Sequence, residues 1–148
     1  KLCTKFFENG WFVLLCRHMI LMLTCDMVKS GELYQYPLAL LAIYMAAEKE
    51  EWKLANAYDI HCKFLKHLQQ SPLQSLAEWA KYLPVIGTMH GYAHKRLCQL
   101  IFLMLYIIGI GLEDGEVCEQ LFSISNALTA ITHHQSAFHR HQSISEFL

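Results

Sequence analysis

The chain has 148 residues, of which 54 % are apolar and 17 % charged, with 12 basic against 13 acidic side chains and a formal net charge of −1. That balance excludes a disordered chain or a solvated tail, and the length is one domain's worth of polypeptide, enough to bury a core without disulfide staples. Near-neutrality also excludes a global basic excess, so any contact with nucleic acid must rest on a local site.

The chain opens on Lys1 and its first apolar stretch starts at Trp11, without the charged, apolar and small-residue succession of a signal peptide. It reads as part of a longer polypeptide. Two apolar pieces follow, WFVLLC from Trp11 and MILMLTCDM up to Met27, parted by Arg17 and His18. Their length and their Trp, Phe and Val content predict two adjacent strands, and charge at the middle argues against a bilayer span. Lys29-Ser30-Gly31 predicts a turn, and Pro37 then sits in the first turn of a helix over PLALLAIYMAAEKEEW.

Leu54 to Ile60 (LANAYDI) reads as a strand leading directly into the helical HCKFLKHLQQ. Asp59 lies at the joint, where open α/β sheets place their chemistry. A cap for the following helix is the competing role. Ser71-Pro72 breaks the chain, SLAEWAKYL predicts a short helix, and Pro84 to Met89 a last short strand. From His94 onward the pattern is helical, with breaks at Gly109 to Gly115 and near His133. Within it, Leu97 to Leu112 is a 16-residue apolar run. A spanning helix wants about 20 apolar residues, so a core helix is expected and no membrane partner.

Six cysteines, Cys3, Cys16, Cys25, Cys62, Cys98 and Cys118, lack the tight spacing of a secreted disulfide framework. A reducing, intracellular setting is expected, with most of them as small buried hydrophobes. The three aspartates are Asp26, Asp59 and Asp114. Asp114 belongs to GLEDGEVCEQLF, in which Glu116 and Glu119 stand three apart at the start of a predicted helix and so share a face. The helix macrodipole alone favours acids there, whereas carboxylates gathered from distant segments hold magnesium or manganese. In MHGYAHKRLC, His90, His94 and Cys98 are spaced four and four. On a continuous helix they point one way, a face suited to zinc, with Cys16, His18 and Cys62 as further donors if the fold brings them close. His133, His134, His139 and His141 show no metal-ligand spacing, and Arg140 among them is the better candidate for contacting phosphate.

Several of these pieces occur in one order: CRH at Cys16 to His18, GELYQYPLALL, YDIHC at Tyr58 to Cys62, MHGYAHKRLCQLI at Met89 to Ile101, GIGLEDGEVCEQLFSISNAL at Gly109 to Leu128, and AFHRHQ. In that combination the chain resembles the KDZ (Kyakuja-Dileera-Zisupton) transposases, known mainly from fungi, over nearly its whole length. The resemblance implies an α+β, ribonuclease H-like core of the DDE type, a small mixed sheet followed by a helical C-terminal part, within a single partial catalytic domain over 1–148. Its carboxylates would hold two magnesium or manganese ions for cleavage and joining of DNA at transposon ends, in the nucleus, with a homo-oligomer as a further expectation.

Residue by residue, Asp59 matches the YDI aspartate, the last glutamate falls on Glu116 or Glu119, and His90, His94 and Cys98 match the family's His, His and Cys positions. Nothing before Asp59 fits the first aspartate, Phe122 stands where the family has tryptophan, and LIFLMLYIIGIG lacks the basic residues expected before the glycines. These departures imply a first strand ahead of Lys1 or an incomplete site, and an isolated chain without DNA-nicking activity. A non-catalytic DNA- or protein-binding relic is the alternative, and a small helical membrane protein built on Leu97 to Leu112 a more distant one.

Overall fold

The structure is a computed structural model and describes residues 7–48, 53–132 and 134–148. Cys3 and His133 lie outside the described residues. The fold is mixed α and β, about half helical. It forms two compact units, one of residues up to Gly31 with Val117–Leu148 and one of Glu32–Glu116.

In the first unit, β1 (Glu8–Leu15) and β2 (Leu21–Val28) pair antiparallel, with Trp11 opposite Asp26 and Val13 opposite Thr24. This matches the two strands expected from the apolar pieces. Arg17 and His18 are exposed in the connecting turn, which closes through the Cys16 amide on the Ile20 carbonyl, with Met19 at φ 62°. Helix α6 (Val117–Thr132) and helix α7 (Ala137–Phe147) complete the unit. Ser136 caps α7 by accepting the His139 amide. Phe122 meets Trp11 edge-on, ring centroids 6.1 Å apart, so phenylalanine serves here as a packing group.

The second unit starts with α1 (Gln35–Ala47), in which Pro37 occupies the first turn and Leu40, Leu41 and Met45 are buried. Strand β3 (Ala55–Ala57) pairs parallel with β4 (Leu83–Val85), Asn56 opposite Pro84. A parallel pair needs a long crossover, here α2 (His61–Gln69) and α3 (Gln74–Trp79). On α2 the buried residues are His61, Phe64 and Leu68, a three-and-four spacing that faces one side. Phe64 and Leu68 pack with Leu41, Met45, Ala77 and Ala80 as the core of this unit. Then come α4 (Thr88–Gly91), α5 (Arg96–Phe102) and a 3-10 turn over Met104–Tyr106.

Four expectations are corrected. The strands form two separate two-stranded sheets among the described residues, one antiparallel and one parallel, in place of one mixed sheet. The strand expected over Pro84 to Met89 stops at Val85, and Thr88 and Met89 are already helical. The apolar run from Leu97 is no core helix: α5 buries none of its residues, and Ile108 and Leu112 are fully exposed. Gly109 and Gly111, at φ 97° and 84°, end any helical continuation. The five described cysteines are free and only half-buried, where burial was expected. Among the described residues no helix is long and apolar enough to cross a membrane.

Candidate metal centre

Asp59 lies two residues beyond the end of β3, and His90 lies on α4, just past the end of β4. The parallel pairing of β3 and β4 therefore delivers both side chains from the carboxyl ends of adjacent strands. Asp59 does not occupy the cap position of α2, which falls on Ile60. Its Oδ2 is 3.5 Å from His90 Nε2. Glu116 approaches the same ring from the other side, with Oε2 2.9 Å from His90 Nδ1. One imidazole thus stands between two carboxylates.

Glu116 is held firmly. Its Oε1 accepts the Met89 amide at 2.8 Å, and its own amide donates to Asp114 Oδ1 at 3.0 Å. The Thr88 amide donates to the Asp114 carbonyl at 2.7 Å, tying the same loop to the start of α4. This approach depends on glycine. A Cβ on Gly87 would lie 2.4 Å from Glu116 Oε1, and Gly115, at φ 72°, brings its Cβ position to 3.2 Å from the Gly87 Cα. Glu116 precedes α6 by one residue and Glu119 lies in the first turn of that helix.

The site is graded in exposure, the Asp59 side chain at 53 %, His90 at 25 % and Glu116 at 12 %. Two carboxylates and an imidazole suit a hard divalent cation. Asp59 and the Nε2 nitrogen of a neutral His90 would hold it, with Glu116 setting the ring from Nδ1.

Behind this site lies a residue that sequence reasoning missed. His61 is fully buried, with Nδ1 3.1 Å from the Val85 carbonyl and Nε2 3.0 Å from the Tyr82 hydroxyl, whose single proton serves that nitrogen and Asn56 Oδ1, 2.8 Å away, between them. A carbonyl only accepts, so Nδ1 carries the proton. Burial, opposed by the bond to Val85, lowers the His61 pKa to about 4. The ring ties α2 to both strands, one residue after the Asp59-Ile60 joint. Its place on the apolar face with Phe64 and Leu68 was the available signal. Tyr58 and Tyr82 are both pushed above the ordinary tyrosine value, chiefly by burial, with Tyr58 also donating to Glu32 Oε1 at 2.8 Å.

The His90, His94, Cys98 set is divided. Lys95, at φ −59° and ψ 148°, interrupts the helix between α4 and α5, so the four-and-four spacing does not run along one face. His90 goes to Asp59 and Glu116, while His94 and Cys98 meet Cys62. Cys16 and His18 lie in the hairpin turn of the other unit, where the His18 amide donates to Cys16 Sγ at 3.4 Å.

In the first unit Arg140 donates to Glu8 at 2.7 Å and to Asp26, and His141 Nε2 is 3.2 Å and 3.0 Å from the same two carboxylates. The Arg140 and Glu8 side chains are only 12 % and 9 % exposed. The guanidinium expected to meet phosphate is therefore engaged inside the unit. His139 bonds the Ser136 hydroxyl at 2.9 Å.

A family model described as the Kyakuja-Dileera-Zisupton transposase matches residues 1–148, the whole chain. Neither the curated proteins nor the solved structures give a significant match.

Proposed function

Since the chain belongs to the KDZ transposase family, we propose that it is part of a DDE-type transposase with a ribonuclease H-like core, acting on DNA in the nucleus, that Asp59 is a carboxylate of its divalent-metal site beside His90 Nε2, and that Glu116 positions the His90 ring from Nδ1. The observation that carries this reading is the convergence of Asp59 and Glu116 on the two nitrogens of His90 at the carboxyl ends of β3 and β4. A bound magnesium or manganese ion polarises a phosphodiester and lowers the pKa of an attacking water. Asp59 is the exposed member, open to a phosphate backbone. Glu116, fixed on the Met89 amide, sets the His90 ring, and the ring holds a proton on the nitrogen facing whichever carboxylate it donates to.

Two-metal phosphoryl transfer places its ions about 3.5–4 Å apart and needs acidic ligands for both. Asp59 with the Nε2 of His90 makes one such position in this unit. We therefore expect the 148-residue chain alone to bind one divalent ion and not to nick DNA, the behaviour of a relic that keeps the site without the full chemistry.

Manganese titration followed by electron paramagnetic resonance, run beside plasmid nicking, tests both parts. The expected result is one manganese per chain, weakened at least tenfold in Asp59→Asn and Glu116→Gln, with Glu119→Gln measured in parallel to separate the two glutamates. Manganese binding indifferent to Asp59→Asn and Glu116→Gln would overturn the site. Robust nicking that Asp59→Asn abolishes would overturn the inactivity.

A further inference from the structure

Cys62 lies in the first turn of α2, His94 just before Lys95 in the link between α4 and α5, and Cys98 in the first turn of α5. The sulfurs of Cys62 and Cys98 and a ring nitrogen of His94 all fall within 4.8 Å of one another, and Cys62 Sγ is 3.5 Å from His94 Nδ1. A tetrahedral zinc with bonds of ~2.3 Å to sulfur and ~2.0 Å to nitrogen sets a sulfur-to-nitrogen separation of about 3.6 Å and a sulfur-to-sulfur separation of about 3.8 Å. The Cys62–His94 pair stands at that spacing, and Cys98 lies within 4.8 Å of both.

We propose that Cys62, His94 and Cys98 form a zinc site, distinct from the Asp59, His90 and Glu116 centre and independent of its chemistry. Two thiolates and an imidazole are a soft donor set, which takes zinc in preference to magnesium or manganese. The His94 backbone is already fixed: its amide donates to the Gly91 carbonyl at 3.1 Å and its carbonyl accepts Gln99 Nε2 at 2.9 Å. The three side chains are half-buried, so water reaches the fourth tetrahedral position. The thiols are free, and in the metal-free chain burial and then the hydrogen bond to Cys98 push the Cys62 thiol above its ordinary pKa. Zinc displaces those protons on binding, so affinity falls as pH falls.

The site also has a structural consequence. Cys62 follows Asp59 by three residues, and His94 follows His90 by four. An ion on Cys62 and His94 therefore ties the segment carrying Asp59 to the segment carrying His90.

The test uses the full chain, reduced and metal-free, loaded with zinc or with cobalt as a spectroscopic substitute. The expected result is one zinc per chain, tetrahedral cobalt absorption with a thiolate charge-transfer band, and a rise in Tm of about 5–10 °C when zinc is roughly a hundredfold above its Kd. Cys62→Ser and Cys98→Ser should lose the charge-transfer band, and His94→Cys should retain it with a stronger sulfur contribution. A variant with Cys3, Cys16, Cys25 and Cys118 all changed to serine should bind as the parent does, which keeps the assignment testable even if Cys62→Ser fails to fold. Substoichiometric zinc, or binding lost in the four-serine variant, would overturn the proposal. So would a Cys62–Cys98 disulfide formed in place of metal binding.

Discussion

His61 shows how much one buried side chain can ask of the solvent. Its neutral ring bonds the Val85 carbonyl, and its pKa lies at about 4 against an ordinary 6.5, because burial penalises the charged form. The native state therefore binds fewer protons than the unfolded chain between those values. Stability is complete above pH 6.5, declines as pH falls, and by pH 4 has lost a contribution of roughly 3 kcal/mol from this group. Urea unfolding across that range should show the decline, and His61→Gln, which cannot titrate, should flatten that part of it. Gly87 is the second sensitive position. An alanine methyl would lie 2.4 Å from Glu116 Oε1, so the carboxylate must leave the Met89 amide and the His90 ring. Gly87→Ala should cost about 1–3 kcal/mol, read from the denaturation midpoint, and should weaken manganese binding in the same protein.

Among the elements, those with a clear period were legible in the sequence. The β1–β2 hairpin announces itself by strand-favouring residues broken at Arg17 and His18, and α1 by Pro37 ahead of an alanine- and leucine-rich run. The Asp59 joint was visible because a strand and a helix abut there. The rest was hidden for physical reasons. The run from Leu97 carries no sign of whether anything covers it, and its glycines at positive φ become breaks only once the backbone is known. Ile108→Glu and Leu112→Lys, both at fully exposed positions, should change unfolding free energy by less than about 0.5 kcal/mol. Likewise His90, His94 and Cys98 look equivalent by spacing until the extended Lys95 sends them to different partners. Arg140 was readable as a cation but not as one already enclosed. Its pairing with Glu8 and Asp26 links α7 to both strands of the hairpin. Arg140→Ala leaves a nearly buried Glu8 carboxylate with only His141 beside it and should destabilise the chain by about 2–4 kcal/mol in thermal or urea unfolding.

At the scale of the molecule, the chain forms two compact units. Hydrogen exchange should reflect this division. In Arg140→Ala, exchange should accelerate in β1, β2, α6 and α7, while residues 53–116 keep the protection of the parent. The connectivity of the first unit carries a cost in time as well as in energy. Its hairpin ends before Gly31, and the helices that complete it begin only at Val117. On a ribosome adding about 5–20 residues per second, the finished hairpin waits on the order of ten seconds for those helices to be made. A lone two-stranded ribbon is marginal in water. Through that interval Trp11 and Val13 lack the surface they will pack on, which makes the nascent chain a client for chaperones until α6 and α7 emerge.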